Sequence, residues 1–217
     1  MENSIPSRPL RHVAIAGNIG AGKTTLAERL SQHFGWEILY EAVDNNPYLH
    51  DFYDNMPRWS FNLQIYFLNS RINQLLQIRK GEQTVVQDRT IFEDAYIFAP
   101  NLYEMGLMSP RDFENYTGLF KTISNLIQAP DLLIYLRASI PTLLRQIRRR
   151  GRDYESNIRQ DYLENLNQYY DNWIAQYDAG NLLVINVDDF NYADHPEDLK
   201  IVMAMVEKAL SASALVR

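Results

Sequence analysis

Gly17-Asn18-Ile19-Gly20-Ala21-Gly22-Lys23-Thr24-Thr25 is the stretch that decides the fold of this 217-residue chain. It satisfies the pattern G-x-x-x-x-G-K-[ST], with Gly17, Gly22, Lys23 and Thr24 in the fixed places. The apolar run His12-Val13-Ala14-Ile15-Ala16 precedes it and reads as a buried strand. Leu26, Leu30 and Phe34 follow at helical spacing. Strand, glycine loop and helix in that order turn the pattern into a phosphate-binding expectation. Glycines let backbone N–H groups close round a polyphosphate, and the helix N-terminus adds partial positive charge. Lys23 is expected to reach the β- and γ-phosphates, and the Thr24 hydroxyl to ligate Mg²⁺. A glycine-rich turn without a ligand is the bland alternative, and the complete pattern with both flanks outweighs it.

Working outward, apolar runs of strand length alternate with helical patterns. Trp36–Glu41, Thr84–Asp88, Asp131–Arg137 and Leu182–Val187 read as four more strands. Asn45-Asn46-Pro47 reads as a turn with Pro47 opening a helix. Trp59–Arg79 is a long helical pattern with Phe61, Ile65, Leu68, Ile72 and Leu75 on one face, ended by Gly81. Ile91–Met105 is helical, and Ser109-Pro110 caps a helix running towards Ile127. Ile140-Pro141 opens a helix that ends in Arg148-Arg149-Arg150-Gly151-Arg152; Asn157–Tyr177 and Pro196–Leu210 are helical again. Near-continuous apolar strands alternating with helices mean a parallel sheet covered on both faces. The expected architecture is an α/β, three-layer fold with a five-stranded parallel sheet, in one domain spanning residues 1–217. Ligands of such sheets bind at the C-terminal strand edge, where Gly17, Glu41 and Asp88 are expected to meet.

Composition narrows the function. The chain is 46% hydrophobic, enough for a sizeable core, and carries a formal net charge of -6. That charge argues against a nucleic-acid-binding surface, which normally needs a basic stripe. An acidic protein still binds an anionic nucleotide when its positive charge is gathered in one cleft. The absence of cysteine removes disulfide and thiolate chemistry and fits a cytoplasmic protein. Met1–Arg11 lacks the apolar core of a signal peptide, and no run approaches the roughly 18 apolar residues of a membrane span.

Three features outside the loop carry chemistry. Glu41, at a strand end beside the loop, suits the carboxylate that orients and deprotonates an attacking hydroxyl; alone it would read as a solvated side chain. Asp88-Arg89 follows the third strand: Asp88 is a candidate Mg²⁺ ligand or base, and Arg89 a candidate partner for the transferred phosphoryl group, against a plain surface ion pair. The arginines around Gly151 repel one another unless anions separate them. A mobile lid over ATP, spanning about 145–156, explains them better than a basic helix end favouring its own dipole.

At this point the chain resembles the deoxyribonucleoside kinases, the group with deoxycytidine, deoxyadenosine and deoxyguanosine kinases. The resemblance runs from about Val13 to Leu210. It rests on the loop, Glu41, Trp59-Ser60-Phe61 with Gln64, Asp88-Arg89-Thr90 with Asp94, Arg150-Gly151-Arg152 with Glu155, and Asp189-Phe190. It implies ATP as phosphate donor with Mg²⁺, transfer to a 5′-hydroxyl, and a homodimer built on the helices from Trp59 and Ser109. By the same resemblance Glu41 or Asp88 is the base, and Arg89 contacts the reacting oxygen and phosphate. Tyr53 and Glu155 hold the sugar 3′-hydroxyl, Gln64 pairs with the nucleobase, Phe98 stacks on it, and Arg71 with Asp94 forms a charged pair at its edge. Arg150 and Arg152 belong to the lid, and Asp188-Asp189-Phe190 borders the adenine of ATP. Singly, Tyr53, Phe98 and Gln64 would read as ordinary helix residues; together they describe one pocket. The chain departs from many relatives at Ala42 (proline), Thr90 (serine) and Gln146 (arginine in several), where Arg145 or Arg149 would have to substitute. The runs Asp44–Leu49 and Asp88–Asp94 resemble bacterial deoxyadenosine kinases, so deoxyadenosine is the expected substrate, with overlap onto other deoxynucleosides. A nucleoside-monophosphate kinase shares the loop and the lid but would need cations for an acceptor phosphate, whereas Gln64, Tyr53 and Glu155 suit an uncharged sugar; a nucleotide-gated switch would have no need of a pocket built from Gln64, Arg71, Asp94 and Phe98.

Overall fold

The computed structural model describes residues 10–44, 46–155 and 158–215, with side chains as far as Ser211. Asn45 of the expected turn, Ser156 at the end of the expected lid and Asn157 at the start of the expected helix lie outside the described residues.

Strands β1 (His12–Gly17), β2 (Glu37–Leu39), β3 (Val85–Asp88), β4 (Leu132–Arg137) and β5 (Asn181–Asn186) form one parallel sheet in the order β2-β3-β1-β4-β5. Side chains alternate across a strand, and β1 shows what that does here. Val13 and Ile15 join Leu26, Leu30, Val202 and Val206 in the core on one face. Ala14 and Ala16 join Leu133, Tyr135, Phe67, Ile97 and Tyr170 on the other. The first face is covered by α1 (Lys23–Phe34) and α9 (Pro196–Leu215), the second by α3 (Met56–Lys80), α5 (Ala99–Glu104) and α8 (Gln160–Ala175). This is the expected covered parallel sheet. Register does the positioning: Ile15 pairs with Asp88 and Gly17 with Leu136. The loop after β1 therefore leaves the sheet beside Asp88-Arg89.

Several boundaries differ from the sequence reading. β2 stops at Leu39 rather than Glu41, because β2 lies at the sheet edge and the Tyr40 carbonyl accepts from Gln74 Nε2 (2.7 Å) instead of continuing the ladder. Glu41 thus sits in the connection beyond the strand. Helix α2 (Leu49–Asp54) begins after Pro47, which stays in the preceding turn. The stretch expected as one regular helix over Ile91–Met105 is α4 (Ile91–Glu93), a π turn (Asp94–Phe98) and α5. The caps fall as expected at Gly35, Gly81 and Ser109, the last opening α6 (Pro110–Ser124) and accepting from the Asp112 N–H at 3.2 Å. Helix α7 (Ile140–Arg150) ends at Gly151 in the left-handed conformation, before a 3₁₀ turn at Asp153–Glu155.

Candidate active site

A cleft of about 790 Å³ opens at the C-terminal edge of the sheet. Its walls bring together the phosphate loop, Glu41, Tyr53, Gln64, Arg89, Asp94, Phe98, the Arg145–Glu155 segment and Asp188–Tyr192. The cleft thus collects most of the sequence-predicted site residues, including Asp189 and Phe190. Arg71 and Asp88 stand behind its wall; both are buried.

The loop is held from outside. Gly22 adopts φ +89, and a Cβ there would meet Tyr192 Oη at 2.6 Å. Only glycine satisfies both demands. The Asn18 amide donates to the Leu163 carbonyl (3.0 Å) and to Asn167 Oδ1 (2.7 Å). Lys23 Nζ donates to the Asn18 carbonyl at 3.0 Å, inside the curve of the loop. Burial, with the Arg89 charge nearby, pulls Lys23 down to about 8. A bound polyphosphate would supply the countercharge that the buried ammonium needs.

Thr24 Oγ1 donates to Asp88 Oδ2 at 2.5 Å, while Asp88 Oδ1 is buried with no hydrogen-bond partner. An orphaned carboxylate oxygen beside a hydroxyl, next to a phosphate loop, fits a hard divalent cation. Thr24 and Asp88 are the residues that would hold Mg²⁺.

Arg89 is the centre of the charge network. Its backbone is left-handed, with φ 70, a strained setting for a non-glycine residue. Nε donates to Glu41 Oε1 at 2.7 Å, and Nη1 to Glu93 Oε1 at 3.1 Å and Tyr170 Oη at 2.7 Å. Its guanidinium carbon lies 4.6 Å from the Phe98 ring centre. Arg71 Nη2 reaches the same Glu41 oxygen at 3.3 Å, and Arg71 Nε faces Asp94 Oδ2 at 3.5 Å. Burial would raise Glu41, but Arg89, Arg71 and Lys23 outweigh it and hold the carboxyl well below its usual range. It is therefore ionised at neutral pH. Asp94 goes the other way: burial dominates the two arginines and pushes it up to about 7.

In the inner part of the cleft Gln64 Oε1 is buried without a hydrogen-bond partner, while Asp94 Oδ2 has only its ion pair with Arg71 Nε, 3.5 Å away behind the wall. Buried polar atoms are normally paired, so Gln64 Oε1 and the loosely paired Asp94 suit a polar ligand. Phe98 and Phe52 offer ring surface in the same cleft. At its outer part Tyr53 stacks on Tyr154, with centroids 5.6 Å apart. Arg150 forks onto Glu155 at 2.5 Å, Arg152 lies 3.6 Å from the same carboxylate, and Arg149 pairs with Asp194. The anions expected to separate the arginines are thus partly supplied by the protein. Gln146 and Arg145 both line the cleft.

Sequence reasoning missed Glu93, Tyr170, Tyr192 and Asn167. Glu93 had a detectable signal, Thr90-x-x-Glu93 being a capping box; the others act only through the tertiary fold.

The deoxynucleoside kinase family pattern matches residues 13–211. The deoxyadenosine/deoxycytidine kinase of Bacillus subtilis (strain 168) is 34% identical over 211 residues, covering 96% of each chain. The deoxyadenosine kinase of Dictyostelium discoideum is 42% identical over 188 residues, covering 87% of this chain and 76% of the relative. The solved deoxyadenosine kinase from M. mycoides with bound dATP superposes with a TM-score of 0.80 at 32% identity, over 90% of this chain and 99% of that one. On sequence and on fold alike, the chain belongs to the deoxynucleoside kinase family.

Proposed function

We propose that this deoxynucleoside kinase transfers the γ-phosphoryl group of ATP to the 5′-hydroxyl of deoxyadenosine, with overlap onto deoxyguanosine and deoxycytidine, as one domain acting in nucleotide salvage. The observation that carries the choice of acceptor is the unpartnered Gln64 Oε1 in the same cleft as Asp94, whose ion pair with Arg71 is loose at 3.5 Å. An amide, a carboxyl group and a guanidinium match a nucleobase edge offering donors and acceptors, and Phe98 stacks on its face. Tyr53 and Glu155 hold the 3′-hydroxyl. Deoxyadenosine kinases among the relatives favour adenine.

In the reaction the 5′-oxygen attacks the γ-phosphorus, its proton passes to Glu41, and the bond to the β,γ-bridging oxygen breaks to leave ADP. Glu41 serves as base because it lines the cleft, whereas Asp88 is buried behind it on Thr24. Lys23, Arg89 and the loop amides (Gly17 to Thr25) meet the phosphates, Arg150 and Arg152 act as lid cations, and Asp189 and Phe190 border the adenine of ATP. Mg²⁺, when bound, neutralises phosphate charge. The enzyme supplies position and electrostatics, with little covalent chemistry. The carboxylates of Glu41 and Glu155 at the acceptor side oppose a monophosphate acceptor.

A coupled assay with ATP and a panel of deoxynucleosides and deoxynucleoside monophosphates tests the reading. Turnover of deoxyadenosine with the highest kcat/KM is the expected result; turnover of monophosphates alone would sink it. Leu76 on α3, Leu119 on α6 and Leu126 just beyond are large exposed apolar side chains, and they support a homodimer across those helices. Among the described residues no helix is long and apolar enough to cross a membrane, and a cytoplasmic setting accords with the absence of cysteine.

A further inference from the structure

Glu93 has no part in the reaction above, and it does not line the cleft. Its side chain is nevertheless 0% exposed, a costly place for a carboxylate unless it is fully paired. Oε2 does a local task, accepting from the Thr90 N–H at 2.7 Å and Thr90 Oγ1 at 3.3 Å. Oε1 does something a helix cap does not need. It accepts from the Gly17 N–H (3.2 Å), Arg89 Nη1 (3.1 Å) and Tyr170 Oη (2.6 Å). Tyr170 Oη accepts from Arg89 Nη1, and its own proton serves Glu93 or the Gly17 carbonyl at 2.8 Å. One oxygen thus joins the first residue of the phosphate loop to the arginine beside it.

The other anchor of Arg89 is Glu41, which faces the cleft and has to turn to the incoming hydroxyl. Glu93 and Tyr170 are shut away from any ligand, so their hold persists while substrate is bound. They engage Nη1 and leave Nη2 to an anion.

We infer that Glu93, with Tyr170, is the positioning residue for phosphoryl transfer: its carboxylate locks Arg89 and the start of the phosphate loop into one rigid unit. The inference rests on the reading that Arg89 meets the transferred group.

The test is a kinetic cycle of Glu93→Gln, Arg89→Lys and the double variant, with Tyr170→Phe alongside, each assayed with ATP and deoxyadenosine and checked by thermal melting. Glu93→Gln is expected to lower kcat on the order of 100-fold, the cost of small misplacement at a reacting centre, with both KM values near wild type. Tyr170→Phe keeps the carboxylate and gives a smaller loss of kcat. The double variant is expected to fall far short of the product of the single losses, because Glu93 acts through Arg89. Losses that multiply, or a Glu93→Gln defect confined to KM, would overturn the inference. If Glu93→Gln does not fold, Tyr170→Phe with Arg89→Lys runs the same cycle. An Arg89→Lys enzyme with wild-type kcat would overturn both the inference and the role of Arg89, whereas a slow Arg89→Lys with multiplying losses removes only the Glu93 assignment.

Discussion

Arg71 Nη2 lies 3.3 Å from Glu41 Oε1. With its Nε facing Asp94, one buried guanidinium therefore links the carboxylate proposed as base to the carboxylate proposed to meet the nucleobase. The two respond oppositely. Cations dominate at Glu41 and keep it ionised; burial dominates at Asp94 and brings it to about 7. Environments that separate like groups in this way commonly assign them separate tasks.

If Asp94 meets the nucleobase as proposed, acceptor recognition should depend on pH. A base that presents an N–H at this edge needs the ionised form, so kcat/KM for deoxyadenosine should rise as pH passes through about 7. Asp94→Asn should remove that rise and lower kcat/KM by roughly 10-fold or more, the cost of an unmade hydrogen bond to a charged group. A flat wild-type profile through neutrality would contradict this.

The two acidic candidates for the base give different kinetic signatures. Glu41→Gln should reduce kcat by about 10²–10⁴, the usual range for a general base, at any Mg²⁺ concentration. Asp88→Asn should instead raise the Mg²⁺ concentration needed for half-maximal rate. Exchange of these two outcomes in a metal titration would reverse the assignment.

His12 links stability to pH at the far end of β1. Its Nε2 lies 2.9 Å from Gln87 Oε1, and burial pulls it from 6.5 down to about 4, against the opposing effects of Gln87 and Asp131. Below pH 6.5 the unfolded chain takes up a proton that the folded chain refuses until about 4. Stability is therefore lost as pH falls across that window, by roughly 3 kcal/mol from this group. His12→Gln should flatten the melting temperature between those limits; an unchanged slope would place the acid sensitivity elsewhere.

The apolar faces of α3 and α6 predict assembly. Light scattering should give twice the 25.3 kDa chain mass, and Leu119→Glu should shift the protein towards monomer by placing a charge on apolar surface that the dimer would cover. A wild-type monomer at assay concentration would refute the dimer.

The sheet and the phosphate loop were legible because they depend on local signals: an apolar run, glycines at fixed spacing and a helical period. The residues that line the cleft were legible through the motif resemblance, and the structure gathers Glu41, Gln64, Asp94 and Phe98 in it. What escaped was set by tertiary contact. The end of β2 was placed at Glu41 because Tyr40 has strand character, yet a distant glutamine takes its carbonyl. The π turn at Asp94–Phe98 leaves no trace in a 3.6-residue pattern. Tyr170 falls within the helical stretch Asn157–Tyr177, and nothing in sequence shows that its hydroxyl reaches Gly17.

The phosphate loop comes before Leu163, Asn167, Tyr170 and Tyr192 in the chain, yet these fix its shape. During synthesis the ribosome makes the motif early and its scaffold late. Affinity for nucleotide phosphate should then emerge only once translation has passed β5 and Tyr192 has docked.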